Sequence, residues 1–389
     1  MKIGLLGYGV VGTGVCEIID ALNAEGDHDL EVEKIFVRPT RERTDPRMTS
    51  QMNDILINDQ IDIVVECMGG LEPAYSYVKQ ALFAGKDVVT SNKAMMATYY
   101  QDLMDTAALL HRHLLFEASV GGGINWMHNI GISKRVDEIQ EFRGILNGTT
   151  NYILDSMFTQ GKDFADILKE AQALGYAEAD PSSDIDGDDV RFKCCLTSNV
   201  IWNTSVDLNS IDTLGIRYLS KKDVDYCKAH NMVCRLIGNG VKKGDSYSVY
   251  VQPEFLSADD LLAHVTSNYN CGEILGKTCG KSYFMGQGAG KLPTANAVLQ
   301  DCMSLVSKCR SRLSSLTKSN GERDEGSIDN KDVCASYYIR GNSIDVFSDW
   351  IAEQIDEDTI LTKPVSIQDV VSRLKDLNNP QYFIAGVNV

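Results

Sequence analysis

Along residues 1–130, short apolar runs alternate with amphipathic stretches, the rhythm of a parallel sheet with helices on both faces. The runs predict strands over 2–6, 32–37, 61–67, 87–90 and 114–118, with helices over 10–24, 72–84 and 94–112. From 136 the order changes to a strand over 139–146, three helical segments up to 204, and mixed strands and helices up to 290. Asn147-Gly148 reads as a turn, after which Thr149 or Thr150 can cap the next helix. Residues 292–316 read as a helix with Pro293 in its first turn, returning to the first domain. Residues 318–332 are polar and aperiodic, a linker. Beyond it, 335–340, 359–365 and 382–387 predict strands, and 344–355 and 367–377 helices.

The expected fold class is therefore α/β. A doubly wound, Rossmann-type parallel sheet spans 1–130, completed by helix 292–316, and an α+β catalytic and dimerisation domain spans 131–291. Linker 318–332 leads to a small α+β segment over 333–389, which is small enough to need a partner surface or a second copy for stability.

Composition narrows the function classes. A net charge of −17 opposes binding to nucleic acid or to anionic membranes, both of which need clustered Lys and Arg. No apolar run approaches the roughly 20 residues of a membrane helix, and MKIGLLGYGVVG lacks the design of a signal peptide. The 11 cysteines show no metal-ligand spacing, so reduced thiols in the cytoplasm are expected. The six histidines (28, 111, 113, 128, 230 and 264) form no ligand set and are expected at the surface or in packing.

Gly7-Tyr-Gly9-Val-Val-Gly12 follows a strand and opens a helix. Glycines at that spacing permit a tight turn, close approach of a pyrophosphate and close packing of helix on strand. An acid at the end of the second strand would bind a ribose 2′-hydroxyl; here stand Arg38, Arg41, Arg43 and Arg47, which favours NADP over NAD. Thr90-Ser91-Asn92-Lys93 lies at the C-terminal end of a predicted parallel strand, where ligands of such sheets bind, and Lys93 is a candidate for polarising a carbonyl. Three glycines at 121–123, next to Glu117, imply close backbone approach and oxygen ligands for a hard cation. Gly286-Gln-Gly288-Ala-Gly290 is either a simple connection or a second backbone wall for the cofactor.

The stretch GYAEADPSSDIDGDDVRFK, residues 175–193, raises a sharper question. Its acid density resembles a Ca²⁺ loop, but the ligand spacing of an EF-hand is absent. The chain becomes helical from about 184, and on a helix Asp189 and Lys193 share a face as i and i+4. The plain reading is an exposed ion pair; the alternative is a site for a substrate carrying an ammonium group.

The N-terminal glycine motif, TSNKA at 90–94, EASVGGG at 117–123, GILNGTTNYIL at 144–154, the acidic stretch ending in Lys193 and GQGAGKLPTA at 286–295 occur together and in order over residues 1–316. In these motifs the chain resembles homoserine dehydrogenase. The resemblance implies reversible NAD(P)-dependent interconversion of L-homoserine and L-aspartate 4-semialdehyde, a step towards threonine, methionine and isoleucine. It implies Lys193 as the acid/base lysine, Lys93 as a second lysine at the reacting oxygen, and Asp189 as the group orienting Lys193. Glu178, Asp184, Asn147, Gly148, Thr149 and Lys93 would bind substrate. Gly7, Gly9, Val10, Val11, Gly12, Arg38, Ser91, Lys93 and Gly288 would bind NADP or NAD. Glu117, Val120, Gly122 and Ile124 would hold a monovalent cation, Na⁺ or K⁺. Ser183 stands where relatives often carry a further acid.

The chemistry agrees with the resemblance: reducing an aldehyde puts negative charge on oxygen, which calls for a positioned proton donor. The remaining alternatives are another NAD(P)-dependent oxidoreductase of an amino acid, or a catalytically silent regulatory protein. The tail resembles an ACT domain, whose order is βαββαβ, but it lacks the Pro-Gly turn after its first strand and one strand of that order. Dimerisation, as a homodimer or a higher homo-oligomer, is the expected use of the tail.

Overall fold

The computed structural model describes residues 1–244, 246–307, 324–377 and 381–388. The chain forms two compact units: Met1–Glu138 with Asn199–Ser205 and Gln287–Glu325, and Ile139–Ser198 with Val206–Gly286 and Gly326–Val389.

The first unit is built on a six-stranded sheet in the spatial order Met48–Thr49, Glu31–Phe36, Lys2–Leu6, Ile61–Glu66, Asp87–Thr90, Leu114–Leu115. Every pairing is parallel. The near-continuous apolar composition of the central strands matches burial on both faces, and Ile3, Leu5, Ile63 and Val64 are fully buried. Strand order reverses beside Lys2–Leu6, which opens a crevice at that strand's C-terminal end, where the glycine motif lies. Helix Val10–Ala24 packs on helix Lys291–Val306, and Gly14 makes that approach feasible, because a Cβ there would lie 2.8 Å from the Lys291 carbonyl oxygen. Helix Lys291–Val306 lies in this unit, and of the helix expected over 292–316, residues 308–316 lie outside the described ones.

The strand expected over 114–118 ends at Leu115, because the Glu117 N–H donates to Asp301 Oδ2 at 2.8 Å instead of extending the ladder. Helix 94–112 is two helices, Lys93–Thr98 and Tyr100–Leu109, divided at Tyr99 where φ is −116°. The short strand Met48–Thr49 and helix Asn53–Leu56 are too brief to leave a periodic signal.

The second unit carries a mixed sheet. Its main path is Gly280–Gln287, Tyr269–Gly276, Ile139–Ile145, Met232–Lys243, Ser246–Ser257, Tyr382–Asn388, Cys334–Gly341, Thr359–Thr362, Ile351–Gln354. The final strand joins Ser246–Ser257 in parallel, Glu254 opposite Gly386, so the tail extends this sheet. Tyr338 and Arg340 add bonds to buried Asp223 at 3.0 and 2.7 Å, which supplies the surface so small a segment needs.

In the tail, the helix expected over 344–355 is a 3-10 turn, Ile344–Phe347, followed by strand Ile351–Gln354. An acidic turn explains this: Asp358 N–H donates to Asp356 Oδ1 at 3.2 Å, closing a hairpin that pairs 351–354 with Thr359–Thr362. The strand expected over 359–365 is likewise divided, into Thr359–Thr362 and Val365–Ser366. Of the expected linker, 318–323 lie outside the described residues, and Asp324–Gly326 is a strand. Among the described residues no helix is long and apolar enough to cross a membrane.

Candidate functional site

In the first unit the glycine motif divides its labour. Gly7 adopts φ +99°, where a Cβ would come within 2.8 Å of the Cys67 carbonyl oxygen. A Cβ on Gly12 would lie 2.2 Å from the Gly7 carbonyl oxygen, so this glycine lets the helix start against the turn. Gly9, the N-cap of helix Val10–Ala24, has nothing within 4 Å of its Cβ position. That open approach to a helix N-terminus, with Val10 and Val11 in its first turn, fits the pyrophosphate of a dinucleotide.

Glu66, which the sequence reading passed over, organises the neighbouring strand ends. Its carboxylate is fully buried and accepts from the Met68 and Gly69 N–H groups at 2.7 and 3.2 Å and from the Thr90 hydroxyl at 2.5 Å. Thr90 Oγ1 in turn accepts from the Asn92 N–H at 3.0 Å, and Ser91 N–H donates to the Glu66 carbonyl at 3.2 Å. Burial pushes the Glu66 carboxyl above its ordinary range. Helix Lys93–Thr98 starts from this anchored loop with Asn92 as its cap.

Arg38 and Arg41 are exposed and make no side-chain hydrogen bond or ion pair among the described residues. Arg47, by contrast, is held between Asp20 and Asp45 at 2.9 and 2.8 Å, and Arg43 donates to Ser50 Oγ at 3.1 Å. Of the four arginines, Arg38 and Arg41 are the two without such commitments.

Glu117, Val120, Gly122 and Ile124 share one tightly folded loop, with φ of +75° at Gly121, +51° at Gly122 and +49° at Asn125. The Glu117 carboxylate accepts from the Met127 and His128 N–H groups at 3.1 and 2.7 Å. Burial is the main cause lifting its pKa to about 7, against the opposing pull of His128. His128 Nε2 lies 2.8 Å from Asp301 Oδ1, so this histidine belongs to a buried acid–imidazole cluster that sequence spacing does not reveal. The Asn125 Oδ1 is buried with no hydrogen-bond partner, an oxygen in the same loop that fits a cation. Gly288 packs against this loop: a Cβ on Gly122 would fall 2.4 Å from the Gly288 carbonyl oxygen.

In the second unit the acidic stretch forms a turn, Ser182–Ile185, a break at Gly187 with φ +90°, and helix Asp188–Trp202. The Asp189–Lys193 pair is not on an exposed face. Lys193 is 8% exposed and Asp189 3%, and the ammonium donates to Asp189 Oδ2 at 2.7 Å and to the Leu146 carbonyl at 2.5 Å. Asn147 bridges two acids, donating from Nδ2 to Asp184 Oδ1 at 2.6 Å and to Asp189 Oδ2 at 2.8 Å, while its Oδ1 caps the helix at Thr150 N–H. Thr149 Oγ1 donates to the Tyr176 carbonyl at 2.5 Å, and Gly148 leaves room for the Asn268 carbonyl oxygen, which a Cβ would meet at 2.6 Å. The turn at the end of strand Ile139–Ile145 thus gathers Asn147, Asp184, Asp189 and Lys193.

Glu178 stands apart from that cluster. It is exposed, and its side chain makes no hydrogen bond or ion pair among the described residues. Arg217, which the sequence reading did not single out, pins the acidic turn by a fork to Asp186 at 2.7 and 2.6 Å and a bond to Ser182 Oγ at 3.0 Å. Nothing in the spacing of Arg217 to this turn, 31 residues from Asp186, marks it in the sequence. Lys93 and Ser91 belong to the first unit and Lys193 to the second.

Residues 126–303 match the family model described as homoserine dehydrogenase, and residues 7–117 match its NAD-binding domain. The chain is 32% identical over 349 residues to the homoserine dehydrogenase of Bacillus subtilis, covering 87% of this chain and 81% of that protein. It is 38% identical over 319 residues to the Synechocystis homoserine dehydrogenase, covering 79% and 73%. A crystal structure of a homoserine dehydrogenase from Thiobacillus denitrificans superposes with a TM-score of 0.87 at 28% identity, covering 100% of this chain and 98% of that one. A hyperthermophilic archaeal homoserine dehydrogenase mutant in complex with NADPH superposes with a TM-score of 0.66 at 27% identity, over 79% of this chain and 98% of that one.

Proposed function

The chain belongs to the homoserine dehydrogenase family, and from that membership we propose that Lys193, oriented by Asp189, is the acid/base group of its NAD(P)-dependent reaction. The observation that carries this reading is the buried ammonium of Lys193, with Asp189 and the Leu146 carbonyl taking two of its three protons. The third position is left for the oxygen of the substrate. In homoserine oxidation the lysine, as the free amine, accepts the hydroxyl proton while the hydride leaves the same carbon; in aldehyde reduction the ammonium returns that proton. Bound NAD(P) supplies the hydride acceptor or donor.

Asp184, with Asn147, Gly148 and Thr149, forms the substrate end of this site, and Glu178 would join it only on movement of its exposed loop. By the same family membership Lys93, in the first unit, is the family's second lysine. The uncommitted Arg38 and the NADPH held by the archaeal relative support NADP as the preferred cofactor, with Gly7, Gly9, Val10, Val11, Gly12, Ser91 and Gly288 around it. Glu117 and the backbone oxygens of Val120, Gly122 and Ile124 would hold Na⁺ or K⁺, whose fixed charge would brace the glycine loop.

The domain boundaries inferred above, with an ACT-like tail at 333–389, belong to the same reading. So does assembly as a homodimer or larger, since strand Gly280–Gln287 pairs on one side only among the described residues. No disulfide is present among the ten described cysteines, which supports a reducing, cytoplasmic location.

The test is absorbance at the nicotinamide band with homoserine and NADP or NAD, for wild type and Lys193→Ala. Collapse of turnover in the variant supports the assignment; retained turnover moves the proton to Lys93 or water. Exchanging Na⁺ and K⁺ for a bulky organic cation should lower the unfolding temperature if the Glu117 loop holds the metal ion.

A further inference from the structure

Asn270 is fully buried, yet neither its Oδ1 nor its Nδ2 has a hydrogen-bond partner. Buried amides are nearly always satisfied, and an orphaned one costs stability, so such a group calls for a cause. Strand geometry locates it. Gly144 pairs with both Gly238 and Gly272, and directly paired residues point to the same face of a sheet. That face is the one covered by helix Asp188–Trp202, because a Cβ on Gly238 would meet Cys194 Sγ at 2.3 Å and Val190 Cγ1 at 2.9 Å. Side chains alternate along a strand, so Asn270, two residues before Gly272, and Leu146, two after Gly144, lie on this same face.

The pairing of Cys271 with Ile145 then sets Asn270 beside Leu146, whose carbonyl accepts from Lys193. A second set of contacts leads to the same place. Gly148 abuts the Asn268 carbonyl oxygen, and Asn151 Nδ2 donates to the carbonyls of Val265, Ser267 and Tyr269 at 3.0, 3.0 and 3.2 Å. The segment entering Asn270 is thereby fixed against the helix start that carries Asn147 and Thr149.

We propose that Asn270 is a substrate-binding residue of the Lys193 site, its Nδ2–H donating to the oxygen on the carbon that exchanges the hydride. This rests on the assignment of Lys193 as the acid/base group. An amide donor suits that oxygen in both redox states of the substrate, since hydroxyl and aldehyde oxygens each accept. As the C–O bond gains alkoxide character its charge grows, and a fixed donor in a dry site stabilises it more than it stabilises the ground state.

The experiment compares wild type, Asn270→Leu, Asn270→Ala and Lys193→Ala by steady-state kinetics with homoserine and NADP and by thermal unfolding. Both Asn270 variants should lose kcat by roughly 100-fold, with KM for NADP unchanged and the unfolding temperature of Asn270→Leu equal to or above that of wild type. Wild-type kcat in Asn270→Ala would overturn the proposal, as would a steep fall in unfolding temperature in both variants with kcat retained. If Lys193→Ala keeps turnover, the acid/base reading fails; if it is dead while Asn270→Ala runs at the wild-type rate, only the Asn270 assignment falls.

Discussion

Lys193 and Asp189 sit one helical turn apart and meet at 2.7 Å inside the second unit, both almost out of solvent. An exposed pair at this spacing is worth only a few tenths of a kcal/mol, whereas removing one member of a buried pair strands a charge. Asp189→Ala should therefore cost about 3–5 kcal/mol in unfolding free energy as well as most of the turnover. Denaturant titration checks the first part; a cost below about 1 kcal/mol, the range of surface pairs, would show that the pair opens to water.

Asn147 holds Asp184 and Asp189 while capping the following helix. Asn147→Ala removes the cap, at about 1 kcal/mol, and frees both acids. The expected kinetic outcome is a rise in KM for homoserine of roughly tenfold, the scale of one lost hydrogen bond, with KM for the cofactor unchanged. Equal changes in both KM values would point to general loosening instead.

Gly9 and Gly12 should respond differently to alanine. The Cβ of Gly9→Ala meets no protein atom within 4 Å, while that of Gly12→Ala meets the Gly7 carbonyl oxygen at 2.2 Å. Gly9→Ala should fold with wild-type thermal stability and bind the dinucleotide poorly; Gly12→Ala should lose both. Calorimetric titration with NADP, beside melting curves, separates them.

Arg38 and Arg47 make a second contrast. Arg38→Ala should raise KM for NADP roughly tenfold, the worth of one exposed charge-assisted bond to phosphate, and leave that for NAD unchanged. Arg47→Ala should lower stability through the loss of Asp20 and Asp45 as partners. An equal effect of Arg38→Ala on both cofactors would remove the 2′-phosphate from its role.

Glu66 supplies a pH signature. Burial raises its carboxyl above 4.5, so the folded state holds that proton more tightly than the unfolded chain does. Its contribution to stability is complete below the unfolded value and declines as pH rises through the folded one. Wild type should thus lose stability relative to Glu66→Gln as pH rises from 4.5, read by denaturant unfolding at several pH values. The reverse trend would mean that the Thr90, Met68 and Gly69 bonds outweigh desolvation.

The parallel sheet was legible because strands such as 2–6 and 87–90 are apolar runs bounded by glycine or polar turns, and those signals are local. The tail hairpin at 351–362 was misread as helix in part because its acidic turn competes with helical spacing only once the partner strand is in place. Lys193, Asp189 and Asn147 were visible as motif residues, but nothing local says that the first two are buried or that the third bridges acids 37 and 42 residues away. Arg217, His128 and Asp301 left no signal, their partners lying 31 and 173 residues distant.

By itself the sequence determined the two kinds of sheet, the glycine turn that admits a dinucleotide, and the helical spacing that puts Asp189 and Lys193 on one face, because each depends on neighbours within a few residues. The tertiary structure decided that this face turns inward, that Glu66 ties two strand ends together, and that an unpartnered Asn270 lies on the face of the sheet covered by the lysine's helix. Burial and long-range pairing are properties of packed surfaces, and they separate this buried pair from an exposed one worth only tenths of a kcal/mol.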